Sequence, residues 1–143
     1  MKRSYLRKQG KSETAKVKDK IQKTLTQLVR ARDGGCVMRH YPESGACSGP
    51  TAADHIISRQ YSATYGDSRN VVALCQRHHI YWKPQNPILY VHILRRHLGE
   101  TWDWIERAQL DKKAHRFTPF DWELLLRGLK QELEQLSTEE GVL

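Results

Sequence analysis

A chain of 143 residues has room for one ordinary hydrophobic core and not for two independent domains. Its 38% apolar and 28% charged residues, with no run near the roughly 20 apolar residues of a membrane span, point to a soluble protein and exclude a membrane-spanning helix. The net charge of +8 is concentrated: eleven Lys and Arg among the first 32 residues stand against Glu13 and Asp19, a local +9 that leaves −1 for the remainder.

Such a block suits a polyanion, because neutralising phosphates releases condensed counterions. The plainer reading is a solvated tail without a partner. Residues 1–14 lack apolar periodicity and read as a flexible basic arm. No secretory apolar segment accompanies these charges, so a cytoplasmic location is expected. Residues 15–143 then form a single domain, with a core over 33–84 and a helical extension over 87–136.

From Ala15 to Arg32 the apolar residues Val17, Ile21, Leu25, Leu28 and Val29 fall on one helical face, and Asp33, Gly34 and Gly35 stop the helix. Cys36 to Pro50 is dense in Gly, Pro, Ser and cysteine and reads as an irregular loop held by a ligand rather than by a core. Thr51–Ile57 reads as a short strand, Ser58–Arg69 as a polar loop and Asn70–Leu74 as a second strand. A helix is expected from Cys75 to Lys83, ending there because the residue before Pro84 is pushed away from helical angles. Tyr90, Leu94 and Leu98 share a further helical stripe that Gly99 ends, and Trp102, Ile105 and Ala108 mark a short helix. Thr118, Pro119 and Asp121 open a last helix with a capping box, and its buried stripe is Trp122, Leu125, Leu126, Leu129, Leu133 and Leu136. The expected class is α+β, with the helices from Pro87 to Leu136 forming a cap that braces the centre.

The residues that carry chemistry lie between Cys36 and Lys83. Hydrolysis of a phosphodiester needs a water relieved of its proton and charge stabilised on the phosphate, tasks for a neutral imidazole and a divalent cation. Asp54 is a hard oxygen ligand beside His55, a candidate general base. Neighbours on a strand point to opposite faces, so both serve one site only where the strand ends or twists. Asn70, after a long hairpin loop, can pin the loop backbone and so direct the base. His79, on the helix that follows, would complete the protein ligands of the cation and leave positions open for water and phosphate.

His78 and His79 lie about 100° apart on a helix and cannot both face one ion. Cys75 and His78 have C-x-x-H spacing and could join Cys36 and Cys47 in a structural zinc site, with His40 as a rival ligand and metal-free burial of the cysteines as the plain alternative. The odd cysteine count argues against a closed disulfide framework. Lys83 shares a stripe with His79 and could reach a phosphate, as could Arg59 or Arg69. His92, His97 and His115 read as surface or packing residues, and Trp102 and Trp104 as packing rather than base-stacking residues.

The order D-H-I-I, N-V-V-A-L-C, then H-H with a following Lys resembles the HNH endonucleases, the ββα-metal nuclease superfamily. The stretch A-D-H-I-I-S-R-Q-Y-S-A-T-Y-G-D-S-R-N is most similar to phage-encoded members, in part to the NinG-like recombination endonucleases. The resemblance covers Cys36 to Lys83, about a third of the chain. It implies a hairpin-and-helix metal core, with one Mg²⁺-like ion on Asp54 and His79, His55 as general base, and Asn70 orienting that base or approaching the metal. It also implies DNA cleavage leaving a 5′-phosphate and a 3′-hydroxyl, in a bacterial or phage-infected cell. Many relatives carry two C-x-x-C pairs, whereas here Cys36 and Cys47 are widely spaced and the second pair is C-x-x-H. No base-reading element is evident, so weak sequence preference or recognition of a DNA structure is expected. The alternative is a zinc-stabilised nucleic-acid-binding module without cleavage.

Overall fold

The computed structural model describes residues 10–111 and 116–140; most of the expected basic arm, and His115, lie outside them. Among the described residues the fold is mixed helix and sheet, six helices and a two-stranded antiparallel hairpin. Helix α1 (Glu13–Asp33) starts where the Ser12 side chain accepts from the Ala15 amide, and stops at Gly34, whose φ of 70° is open to glycine at no steric cost. Between Cys36 and Pro50 the chain forms only two short 3₁₀ turns, Val37–His40 and Pro42–Ser44.

Strands β1 (Thr51–His55) and β2 (Val71–Cys75) pair with Ala53 opposite Ala73, Asp54 opposite Val72 and His55 opposite Val71. The long connection between them includes one helical turn, α2 (Ser62–Tyr65), and a 3₁₀ turn at Ser68–Asn70. Every residue of β2 is buried, because the hairpin is covered on both faces. Val71 and Ala73 face a core built on Ile21, Leu25 and Leu28 of α1, while Val72 and Leu74 face a second core around Met38, Ile93 and Leu94. The period of two in a strand thus divides one segment between two cores.

A two-stranded hairpin is marginal alone and exposes two edges. Here the end of α1 occupies them. Arg30 donates to the Thr51 carbonyl, Arg32 donates to the carbonyls of Ser68 (2.8 Å) and Val71 (2.7 Å), and Asp33 accepts from the Ala73 amide at 2.9 Å. Two of the eleven basic residues of the N-terminal block are therefore spent on backbone carbonyls.

Helix α3 follows β2 at once. It is a π-helical segment, Arg77–Trp82, continued by a single α turn over Lys83–Gln85. The expected stop before Pro84 does not occur, and Lys83 keeps helical angles (φ −55°, ψ −49°). An α-helix would set the proline ring against the Ile80 carbonyl. The wider turn, closed by the Lys83 amide on the His78 carbonyl, opens that spacing and lets the helix run one turn further.

Helices α4 (Pro87–Leu98) and α5 (Glu100–Leu110) pack against the second core, whereas α6 (Pro119–Glu140) lies along α1. The helices after Pro87 are accordingly not one cap over the centre. The α6 stripe Trp122, Leu126 and Leu129 is buried against Val17, Ile21 and Leu25, with Leu125, Leu133 and Leu136 partly buried beside it. Burial of each large side chain there contributes roughly 1.5–3 kcal/mol. Helix α4 reaches the end of β1 through Tyr90, whose hydroxyl meets Asp54.

Candidate active site and metal centre

Two groups of polar side chains flank the start of α3. The first is Cys36, Cys47, Cys75 and His78, whose ligand atoms all lie within 4.8 Å of one another. Cys36 ends the turn after α1, Cys47 sits in the irregular loop, Cys75 closes β2 and His78 is in the first turn of α3. The His78 Nδ1 lies 3.0 Å from the Cys75 sulfur, 3.5 Å from that of Cys36 and 3.7 Å from that of Cys47. Its Nε2 lies 3.0 Å from the Ser44 carbonyl, which can only accept, and 3.3 Å from the Arg77 guanidinium; the shorter contact favours the proton on Nε2, with the Nδ1 lone pair facing the thiols. A ligating histidine in a zinc site is held by a second hydrogen bond of this kind.

Burial pushes the Cys36 thiol up to about 12 and raises that of Cys47. Burial acts the same way on Cys75, but bonds from the backbone amides of His78 and Ser48, joined by the His78 ring when both its nitrogens carry protons, outweigh it and bring that thiol down to about 6. The set can hold a metal ion such as zinc. His40 is exposed and stacks on His97, outside this group.

The second group lines a cavity of about 410 Å³ that includes Gln22, Asp54, His55, Ser58, Arg59, His79 and Lys83. Strand β1 ends at His55, and at that end Asp54 and His55, on opposite faces of the hairpin, border the same space. Asp54 is 1% exposed, so its carboxylate depends on protein partners. Lys83 Nζ donates to Oδ1 at 2.7 Å, His79 Nε2 stands 3.4 Å from the same oxygen, and the Tyr90 hydroxyl donates to Oδ2. Burial, together with the Asp54 charge, pushes the Tyr90 phenol well above its ordinary value, which leaves it a donor to that carboxylate.

His55 Nε2 lies 2.8 Å from the Tyr65 carbonyl, which again requires the proton on Nε2 and leaves Nδ1 free to accept one. Burial lowers the His55 pKa below 6.5, the more so with Arg59 near, and keeps the ring neutral at neutral pH. Asn70 is fully buried, and its side chain hydrogen-bonds to loop backbone rather than to Asp54 or His55. Its Oδ1 accepts from the Ile57 amide at 2.7 Å, and its Nδ2 donates to the carbonyls of Ile57 and Thr64, each at 3.1 Å. It clamps the loop that carries the Tyr65 carbonyl and thereby fixes the His55 ring at one remove.

Asp54, His55, His79, Lys83 and Arg59 are therefore brought together, and Asn70 supports them from below. Arg69 is not: its guanidinium is taken by Asp67 at 2.7 Å and lies 3.8 Å over the Trp104 ring, away from the cavity. Trp104 is thus covered by an arginine, and Trp102 packs beside the second core. Besides Ser58, a polar loop residue, two side chains of the cavity region escaped the sequence reading. Gln22 sits among the apolar positions of α1 and nothing marks it. Tyr90 reads as one apolar member of the α4 stripe, and only its hydroxyl, which a buried site obliges to find an acceptor, hints at more.

No helix among the described residues is long and apolar enough to cross a membrane. No family model matches this chain, and no curated protein or solved structure matches it either.

Proposed function

We propose that this chain is a metal-dependent endonuclease of the HNH, ββα-metal type that hydrolyses DNA phosphodiester bonds with little sequence preference. The observation that carries this reading is one cavity bordered by Asp54 and His79, whose Oδ1 and Nε2 are 3.4 Å apart, and by His55 with a free Nδ1. That separation suits two ligands of one cation at about 2.1 Å each. Asp54 and His79 would hold a Mg²⁺-like ion, which when bound supplies Lewis-acid stabilisation of charge on the phosphate and the leaving oxygen.

His55 Nδ1 takes the proton from the attacking water, and the Tyr65 carbonyl holds the ring while it does so. Asn70 keeps that carbonyl in place through its grip on Ile57 and Thr64. Arg59 and Lys83 draw the DNA backbone into the cavity. Cys36, Cys47, Cys75 and His78 hold a structural zinc that ties the 36–50 loop to the end of β2 and the start of α3.

Supercoiled plasmid with Mg²⁺ tests this. Nicking that chelator abolishes, and that His55→Ala loses while still binding DNA, is expected; equal nicking by variant and parent removes His55 from its role. One observation favours a second reading, a zinc-stabilised DNA-binding module without chemistry. The Lys83 ammonium compensates Asp54 without any cation. That reading requires no nicking under any divalent ion.

A further inference from the structure

We propose that Tyr90 is a positioning residue for Asp54: its hydroxyl claims Oδ2 and leaves Oδ1 as the single oxygen that Asp54 offers to a cation. The proposal rests on the reading of Asp54 and His79 as cation ligands. A carboxylate free to turn about its Cβ–Cγ bond can offer either oxygen or both, and bidentate binding suits larger, less demanding cations. Asp54 lacks that freedom. Its Oδ2 accepts from Tyr90, while Oδ1 alone faces Lys83 at 2.7 Å and His79 at 3.4 Å.

The donor is itself fixed. Tyr90 is 4% exposed, sits edge-on to the Trp82 ring at 6.5 Å, and belongs to the α4 face that Ile93 and Leu94 bury. Its hydroxyl has no solvent to turn to, and Asp54 is its acceptor. The same ring lies under the Lys83 ammonium, 4.8 Å from it, so one aromatic side chain contacts both the carboxylate and its internal counter-charge. Three side chains meet Asp54: Lys83 and His79 at Oδ1 and Tyr90 at Oδ2. A cation held at Oδ1 would compete there with the Lys83 ammonium, a like charge, while the neutral phenol would keep Oδ2. The hydrogen bond also comes from α4, outside the hairpin and α3, and gives that helix a reason to touch the site.

The test is Tyr90→Phe in protein whose Cys and His group is loaded with zinc, with Mn²⁺ as probe and free Mn²⁺ read by electron paramagnetic resonance. Loss of a hydrogen bond that orients a metal ligand weakens metal affinity by about 10- to 100-fold, and that is the result expected. The Mn²⁺ concentration for half-maximal nicking should rise by a similar factor while DNA affinity stays the same. Unchanged Mn²⁺ affinity, whether or not the variant melts earlier, overturns the proposal, since a purely structural tyrosine would alter melting alone. If the variant does not fold, the parent decides. The infrared carboxylate bands that change on Mg²⁺ binding, isolated by subtracting Asp54→Asn, should show the wide splitting of a one-oxygen ligand; a narrow, two-oxygen splitting overturns the proposal. A parent that binds no Mn²⁺ through Asp54 sinks the cation reading and this inference together, whereas binding that Asp54→Ala abolishes and Tyr90→Phe leaves intact sinks this inference alone.

Discussion

Consecutive residues separate the two sites of this protein: His78 is fully buried among three sulfurs, and His79, one residue on, is half-exposed beside a carboxylate. The first group gathers three sulfurs and one imidazole, with Cys36, Cys75 and His78 buried and Cys47 exposed. The cavity keeps space, hard oxygen and a neutral imidazole, and balances its buried Asp54 with Lys83. On the proposed reading, a structural zinc on the first group and a catalytic cation in the cavity would differ in softness and internal counter-charge, although α3 supplies a histidine to each.

The largest expected effect breaks the first group. Structural zinc ligation contributes on the order of 10 kcal/mol in small domains, so Cys75→Ser should lose zinc and cooperative unfolding together, as metal analysis and thermal circular dichroism will show. Asp54→Asn should keep its zinc. Loss of zinc in both variants would mean that the two sites are one. Next in size, His55→Ala should slow plasmid nicking by about 10²- to 10⁴-fold, with DNA affinity by fluorescence anisotropy within about twofold of the parent if His55 acts as a base and not as a contact.

A smaller effect separates the arginines. Arg59→Ala should reduce the salt dependence of DNA binding by about one unit of slope. Arg69→Ala should leave the slope alone, because Asp67 and Trp104 already hold that guanidinium.

The smallest expected effect lies far from both sites. Thr118 and Asp121 form the box that opens α6, the Thr118 amide donating to Asp121 at 2.7 Å and the Asp121 amide to the Thr118 hydroxyl at 3.2 Å. Thr118→Ala should cost about 1 kcal/mol in chemical denaturation and change neither zinc content nor nicking. Bonds from Thr118 hold the Asp121 carboxyl below its ordinary 3.8, so its contribution is complete above that value and is lost as pH falls through the lower, folded one.

Elements governed by local rules were legible in the sequence. The apolar period of α1, the glycine at its end, the hairpin and the capping box of α6 all follow from short-range sterics and hydrogen bonding. So was the divergence of His78 from His79, because successive side chains on any helix point apart. The helix through Pro84 was not, since the rule assumes an α turn and the chain adopts a π turn. Charge pattern could not tell Arg30 and Arg32, which hold backbone carbonyls, from lysines facing water. Nor could the helical stripes say which partner each would meet, so the split of α4 and α6 between two cores required the tertiary structure. Asp54, His55 and His79 could be placed near one another from their spacing; the hold of Tyr90 on Asp54 spans 36 residues and leaves no local trace.

The central claim, one cation shared by Asp54 and His79, is tested most directly by electron spin-echo spectroscopy of Mn²⁺ bound to the zinc-loaded protein. Nitrogen modulation from a single imidazole is predicted, absent in His79→Ala and retained in His55→Ala. Modulation that survives His79→Ala, or that vanishes with His55→Ala instead, would contradict it.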